Sequence, residues 1–284
     1  MKLVVTADLH FNHARGREAA LKAADEISRT PGDALLVIGD TAVGDGHSLE
    51  ESLAAIHFDG PKLFLAGNHE LWTGRGDSYS LFTDELPRRV RNAGWHWLED
   101  EPAVFGDTAV VGSIGWYDYS FAEEDLGIPR RFYEAKVSPG AAERLAEFHH
   151  LLGEDVPSET LDIVVRWNDA KHIKLGRSDA EFLEERLARL RASLAAVSTA
   201  SRVIAAVHHV PFRELLPRRV NANLDFVRAY LGSPKLGEAL LADTRVSHVL
   251  CGHSHSHADV KIGHLRAVNV GSTYVQKRVM TLSL

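Results

Sequence analysis

Cysteine is almost missing from this chain: Cys251 stands alone, so no internal disulfide can form, and its place in an apolar run fits a small core residue. No apolar stretch approaches the roughly 20 residues of a membrane span, which excludes a spanning helix. Met1 to Ala7 run directly into Asp8 and His10, leaving no space for the apolar core of a signal peptide. The expectation is a reduced, cytoplasmic protein without a membrane partner. Positive charge is also short, with 32 Lys and Arg against 39 Asp and Glu and a net charge of −7. That balance argues against a broad grip on nucleic acid, although a local basic patch leaves nucleic acid disfavoured rather than excluded. Internal repeats, low-complexity tracts and long linkers are absent, and 45% hydrophobic with 25% charged residues excludes disorder and fibrous architectures. Residues 1–284 are therefore expected to form a single domain carrying an insertion or lid at about 113–177.

Short apolar runs dominate the first third. Leu3 to Thr6, Ala34 to Ile38 and Lys62 to Ala66 are too short for helices and read as buried strands, while Arg17 to Ser28 and Leu49 to Ile56 carry apolar residues at helical spacing. This β-α-β-α-β order implies parallel strands with crossover helices, and ligands collect beyond the carboxyl ends of such strands. Trp95 to Leu98, Ala103 to Phe105 and Thr108 to Gly112 read as a meander joining the sheet. Residues 113–177 lack periodicity but hold Trp116, Tyr117, Tyr119, Phe121, Phe132, Tyr133 and Trp167, which read as a lid packing its own core in preference to a base-stacking platform. Ser178 to Glu181 has the spacing of a capping box opening a helix that runs to about Val197. Beyond it, Val203 to Val207, His248 to Cys251 and Arg266 to Val270 read as further strands.

Histidine, by contrast, is abundant, with 16 copies. Its frequency makes Asp8-Leu9-His10 expected by chance roughly once in a chain of this composition. Gly252-His253-Ser254-His255 has a chance expectation of roughly 0.07, and Gly67-Asn68-His69-Glu70 of only roughly 0.002. Position adds weight, because Asp8 and His10, Asp40, Asn68 and His69, His208, and His253 and His255 each follow a predicted strand. Mixed carboxylate, amide and imidazole donors suit borderline divalent metals better than calcium or magnesium. Seven donors exceed the needs of one tetrahedral ion, so two ions sharing a carboxylate are expected.

Asp8-x-His10, Gly39-Asp40, Gly67-Asn68-His69-Glu70, a histidine after the next core strand and Gly252-His253-x-His255 together resemble, in order, the five blocks of the calcineurin-like metallophosphoesterase superfamily. The resemblance implies a four-layer α/β/β/α sandwich of two mixed sheets. It also implies that Asp8, His10 and His255 hold one divalent ion, that Asn68, His208 and His253 hold another, and that Asp40 bridges them. Manganese, iron or zinc are the expected metals. His69 would be an outer catalytic histidine, with Asp45 or Glu70 as the carboxylate that orients it. Of the adjacent pair His208 and His209, the first is favoured as the ligand because it directly ends the strand; His209 would then lie behind the ligands or face substrate. The implied activity is hydrolysis of phosphate mono- or diesters by a hydroxide shared between the ions.

Phosphoprotein phosphatases of the superfamily carry arginine where this chain has Ala66, and an Asp-Arg pair in the region of Thr41 to Gly46. A small-molecule or nucleotide substrate fits better. A nuclease or cyclic-nucleotide phosphodiesterase is the alternative within the class, and a non-catalytic metal-binding scaffold the alternative outside it.

Overall fold

The computed structural model describes residues 1–74 and 76–284. Eleven strands are present among them: β1 (Lys2–Ala7), β2 (Ala34–Ile38), β3 (Lys62–Leu65), β4 (His96–Trp97), β5 (Ala103–Phe105), β6 (Thr108–Ser113), β7 (Arg202–Val207), β8 (Val246–Cys251), β9 (Ala258–Ile262), β10 (Leu265–Asn269) and β11 (Met280–Ser283). They form a five-stranded sheet in the order β11-β1-β2-β3-β4 and a six-stranded sheet in the order β5-β6-β7-β8-β10-β9. Both sheets are mixed, since β1, β2, β3 and β4 run parallel with β11 antiparallel, and β6, β7, β8 and β10 run parallel with β5 and β9 antiparallel.

The alternation of side chains along each strand explains the layering. Leu3, Val5 and Ala7 join Leu36, Ile38, Val110, Ile204, Leu250 and Val268 in one buried cluster between the sheets. Val4, Val37 and Phe64, from the opposite face, belong instead with Ala20, Ala24 and Ile27 of helix α1 (Arg17–Arg29). On the second sheet Val111, Val203 and Ala205 share that outer cluster with Phe182, Leu187 and Leu190 of the helix Asp179–Ala196. The result is the α/β/β/α sandwich. Ser178 caps that helix as expected, accepting from the Glu181 N–H while the Glu181 carboxylate accepts from the Ser178 N–H.

Two local expectations need correction. Residues 95–112 are not one meander: β4 closes the first sheet beside β3, whereas β5 and β6 open the second. Strands β9 and β11 also lie outside the predicted set, because their half-exposed alternation lacks a continuous apolar run. The 113–177 segment folds as short helices and turns, including Arg130–Glu134, Pro139–Glu143 and Asp169–His172. Trp116, Tyr117, Phe121 and Phe132 are fully buried, so these aromatics pack inward and offer no stacking platform. Asp179 accepts from Trp116 Nε1 at 2.7 Å, and also from Tyr119 and Lys136, fastening the segment to the second sheet's covering helix. Among the described residues no helix is long and apolar enough to cross a membrane.

Candidate metal centre

Parallel strands end on the same edge of their sheet, and here the two edges meet. Just past β1, β2, β7 and β8 the chain places Asp8, Asp40, His208 and His253, with Asn68 three residues past β3. Backbone bonds stitch these loops together, the His10 N–H donating to the Asp40 carbonyl at 2.8 Å and the Gly252 N–H to the His208 carbonyl at 3.2 Å. Of seven non-glycine residues with positive φ among those described, five are Asp8, His10, Asp40, His253 and His255. A left-handed backbone costs such residues about 1–3 kcal/mol each, so strain is concentrated where the chain turns sharply to aim these side chains inward. Gly39 (φ 67°) and Gly67 complete the turns: a Cβ at Gly67 would lie 2.2 Å from Asp40 Oδ1, and one at Gly39 2.5 Å from His208 Nδ1.

Two donor groups result. Asp8, His10, Asp40 and His255 form one, and Asp40, His208 and His253 the other, with all donor atoms in a group lying within 4.8 Å of each other. Asp40 is common to both. Its Oδ1 lies 3.3 Å from His208 Nε2, and its Oδ2 lies 3.8 Å from both His10 Nε2 and His69 Nε2. His209 falls in neither group; it is buried behind His253, its Nδ1 2.9 Å from the Ile114 carbonyl, and does not face the cavity above the site.

The donor set fits a pair of cations. His208 Nδ1 lies 3.1 Å from the Ile38 carbonyl and His253 Nε2 lies 3.2 Å from the Tyr230 carbonyl, so those nitrogens carry the ring protons. His208 Nε2 and His253 Nδ1 then face each other at 3.2 Å, and His10 Nε2 faces His255 Nε2 at 3.0 Å. Two ring nitrogens this close need a proton or a cation between them. Asp8 Oδ2 and Asn68 Oδ1 are likewise buried acceptors that no hydrogen bond meets among the described residues.

Burial lowers the proton affinity of His10 and His253 well below the ordinary imidazole value, and that of His255 to about 4, keeping three lone pairs free. His208 differs: burial pulls it down, but the Asp40 and Asp8 carboxylates outweigh burial and raise it to about 9. Burial pushes Asp8 up to about 7, whereas for Asp40 the imidazoles of His69, His208 and His10 overcome burial and hold it well below the carboxylate range.

Glu70 does not orient His69. Its Oε2 accepts from the N–H groups of Asp40 (2.8 Å) and Gly67 (2.7 Å), and its Oε1 from those of Thr41 (2.7 Å) and Ala42 (3.0 Å). Burial and the Asp40 charge nevertheless push Glu70 up to about 7. This carboxylate clamps two motif loops, which gives the fourth letter of the tetrapeptide a physical reason. Glu70→Gln would set an NH2 group against N–H donors, and should lower the unfolding free energy of the metal-free protein by roughly 2–4 kcal/mol. Urea denaturation checks this; an unchanged midpoint would rule out the clamp. Asp45 accepts from the Thr73 hydroxyl (3.2 Å) and the Gly74 N–H (2.6 Å). The His69 ring instead stacks on Trp72 at 3.8 Å, and Trp72 stacks on His172 at 4.6 Å.

Above the donors lies a cavity of about 320 Å³, walled by His69, Trp72, Trp167, Asp169 and Tyr274. Tyr274 escapes motif reading. It lies over His10 at 4.6 Å, from a turn some twenty residues past the last motif, and His172, stacked behind Trp72, comes from the aperiodic segment. Lys277 is similar, its Nζ donating to the Asp8 carbonyl at 2.6 Å. No residue spacing points to them.

Comparison with known proteins bears on the family and the fold. The family described as calcineurin-like phosphoesterase matches residues 1–257. Phosphopantetheinyl hydrolase (PptH) from Mycobacterium tuberculosis has a similar structure, with a TM-score of 0.69 and 19% identity over 98% of this chain and 95% of that one. A dimetal phosphatase from Danio rerio has a TM-score of 0.54 and 13% identity over 99% of this chain and 91% of that one. No curated protein matches the sequence significantly.

Proposed function

Because the chain belongs to the calcineurin-like phosphoesterase family and is thereby a metal-dependent phosphoester hydrolase, we propose that it cleaves mono- or diesters of small molecules or nucleotides at the centre described above. One observation carries this reading: two donor groups sharing Asp40 form the floor of a cavity of about 320 Å³, the lower end of the range for small-molecule sites. In this reading Asp8, His10 and His255 would hold one divalent cation, Asn68, His208 and His253 would hold the other, and Asp40 would serve both. Manganese, iron or zinc suit those donors. Bound there, the cations would lower the pKa of a shared water and neutralise phosphate oxygens. The remaining work falls to the chain itself. Trp72 holds the His69 ring at the cavity wall, where it donates a proton to the departing ester oxygen. Trp167, Val227, Leu231 and Tyr274 give the leaving group an apolar wall that excludes water. The complete donor set disfavours a non-catalytic scaffold.

The test uses p-nitrophenyl phosphate, bis-p-nitrophenyl phosphate and duplex DNA. Chelation should abolish hydrolysis of the nitrophenyl esters and Mn²⁺ should restore it, while duplex DNA stays intact because this cavity does not admit a duplex. Rapid cleavage of DNA by the reconstituted protein would favour the nuclease reading instead. The faster of the two nitrophenyl esters decides between mono- and diester preference.

A further inference from the structure

Asp169 lies outside every predicted ligand block, yet it is buried at the cavity wall with four hydrogen-bond donors around it. Its Oδ1 accepts from Asn68 Nδ2 at 2.9 Å and Trp72 Nε1 at 2.8 Å; its Oδ2 accepts from Tyr117 OH at 3.0 Å and Trp167 Nε1 at 2.9 Å. None of the four donors is cationic. A buried carboxylate surrounded by neutral donors is costly to keep unless its placement serves something nearby.

We propose that Asp169 is a positioning residue that sets the orientation of the Asn68 amide and so completes the second metal position. The two ends of a primary amide have nearly the same shape and opposite chemistry: the oxygen offers lone pairs, the NH2 group none. A carboxylate accepts only, so Asp169 can meet Asn68 only through Nδ2. Asn68 Oδ1 is thereby turned away from Asp169, and it is the end left buried without a donor. Were residue 169 a donor, the amide would invert and present N–H groups where a cation needs an oxygen. Asp169 Oδ1 also holds the indole of Trp72, which stacks on His69, so one oxygen of the 113–177 segment fixes both an amide ligand and the wall behind the outer histidine. This inference rests on the reading of Asn68 as a metal donor.

The experiment titrates the chelated full-length protein with Mn²⁺, counting free ion by electron paramagnetic resonance. Wild type should bind two equivalents. Asp169→Leu, which keeps the bulk and removes every acceptor, should weaken the second equivalent about 10- to 100-fold, as for other residues that orient metal ligands, and leave the first within about twofold. The double variant Asn68→Asp with Asp169→Leu carries oxygen at both ends of residue 68, needs no partner to orient it, and should return the second equivalent to within about tenfold of wild type. An Asp169→Leu protein that binds both ions like wild type overturns the proposal, as does equal weakening of both ions without recovery in the double variant. If Asp169→Leu fails to fold by near-ultraviolet circular dichroism, the double variant decides: second-ion binding within about tenfold of wild type supports the proposal, and weaker binding or failure to fold overturns it. Fewer than two equivalents on wild type would remove the underlying dinuclear reading, which a wild-type-like Asp169→Leu would leave standing.

Discussion

Asp40→Asn is expected to abolish turnover and to leave the protein with at most one loosely held metal ion. The substitution keeps the side chain's shape and removes its charge. Asp40 alone belongs to both donor groups, and its two oxygens divide the work: Oδ1 lies 3.3 Å from His208 Nε2 and accepts the His69 N–H at 2.9 Å, while Oδ2 faces His10 and His69 at 3.8 Å. An amide in this place offers one oxygen, and its NH2 group points at imidazole lone pairs or at a cation. Removing the negative charge also removes the larger of the two carboxylate effects that raise His208 against burial, so in the metal-free variant that ring should release its proton at a pH below about 9. If the bridge supplies several kcal/mol of transition-state stabilisation, the rate should fall by about 10³-fold or more. Metal analysis beside turnover checks both parts. Two retained ions with near-normal activity would refute the bridge.

The residues that sequence reading places in the site are those whose local backbone carries a signature. Asp8, Asp40, Asn68, His208 and His253 follow apolar runs that can only be strands, and a parallel sheet brings such ends to one edge whatever else the chain does. Glycine at 39 and 67 adds a second local mark, since neither position has space for a Cβ. Strands buried on both faces need two apolar layers, but the four-layer sandwich itself is legible only through the motif resemblance. What escapes is whatever depends on contact between irregular segments. Asp169 meets Asn68 across 101 residues of chain, and Tyr274 reaches His10 from a turn with no periodic pattern, so no short-range statistic can join them. Glu70 shows the limit from the other side. Its place beside His69 invites a pairing with that ring, but the turn sends its carboxylate back under residues 40–42 and 67, where four N–H groups lack other acceptors. Adjacency in sequence says little about facing in space when the chain turns at every residue.

His69→Ala is the second change with a large expected effect, and it separates the outer histidine from the metal donors. Both donor groups are complete without His69, so metal content should match wild type while turnover falls roughly 10²- to 10⁴-fold, the usual contribution of a positioned acid. The size of the loss should depend on the ester. A p-nitrophenolate leaves readily without a proton, whereas an alkoxide does not, so alkyl phosphates should lose far more than nitrophenyl phosphates if His69 protonates the departing oxygen. The stack on Trp72 gives a control on placement: Trp72→Ala removes the plane on which the ring rests at 3.8 Å, and should reproduce part of the same leaving-group trend without removing the imidazole. A uniform loss across esters would assign His69 to charge stabilisation instead of proton donation. Loss of a metal ion in His69→Ala would make it a ligand and exclude both roles.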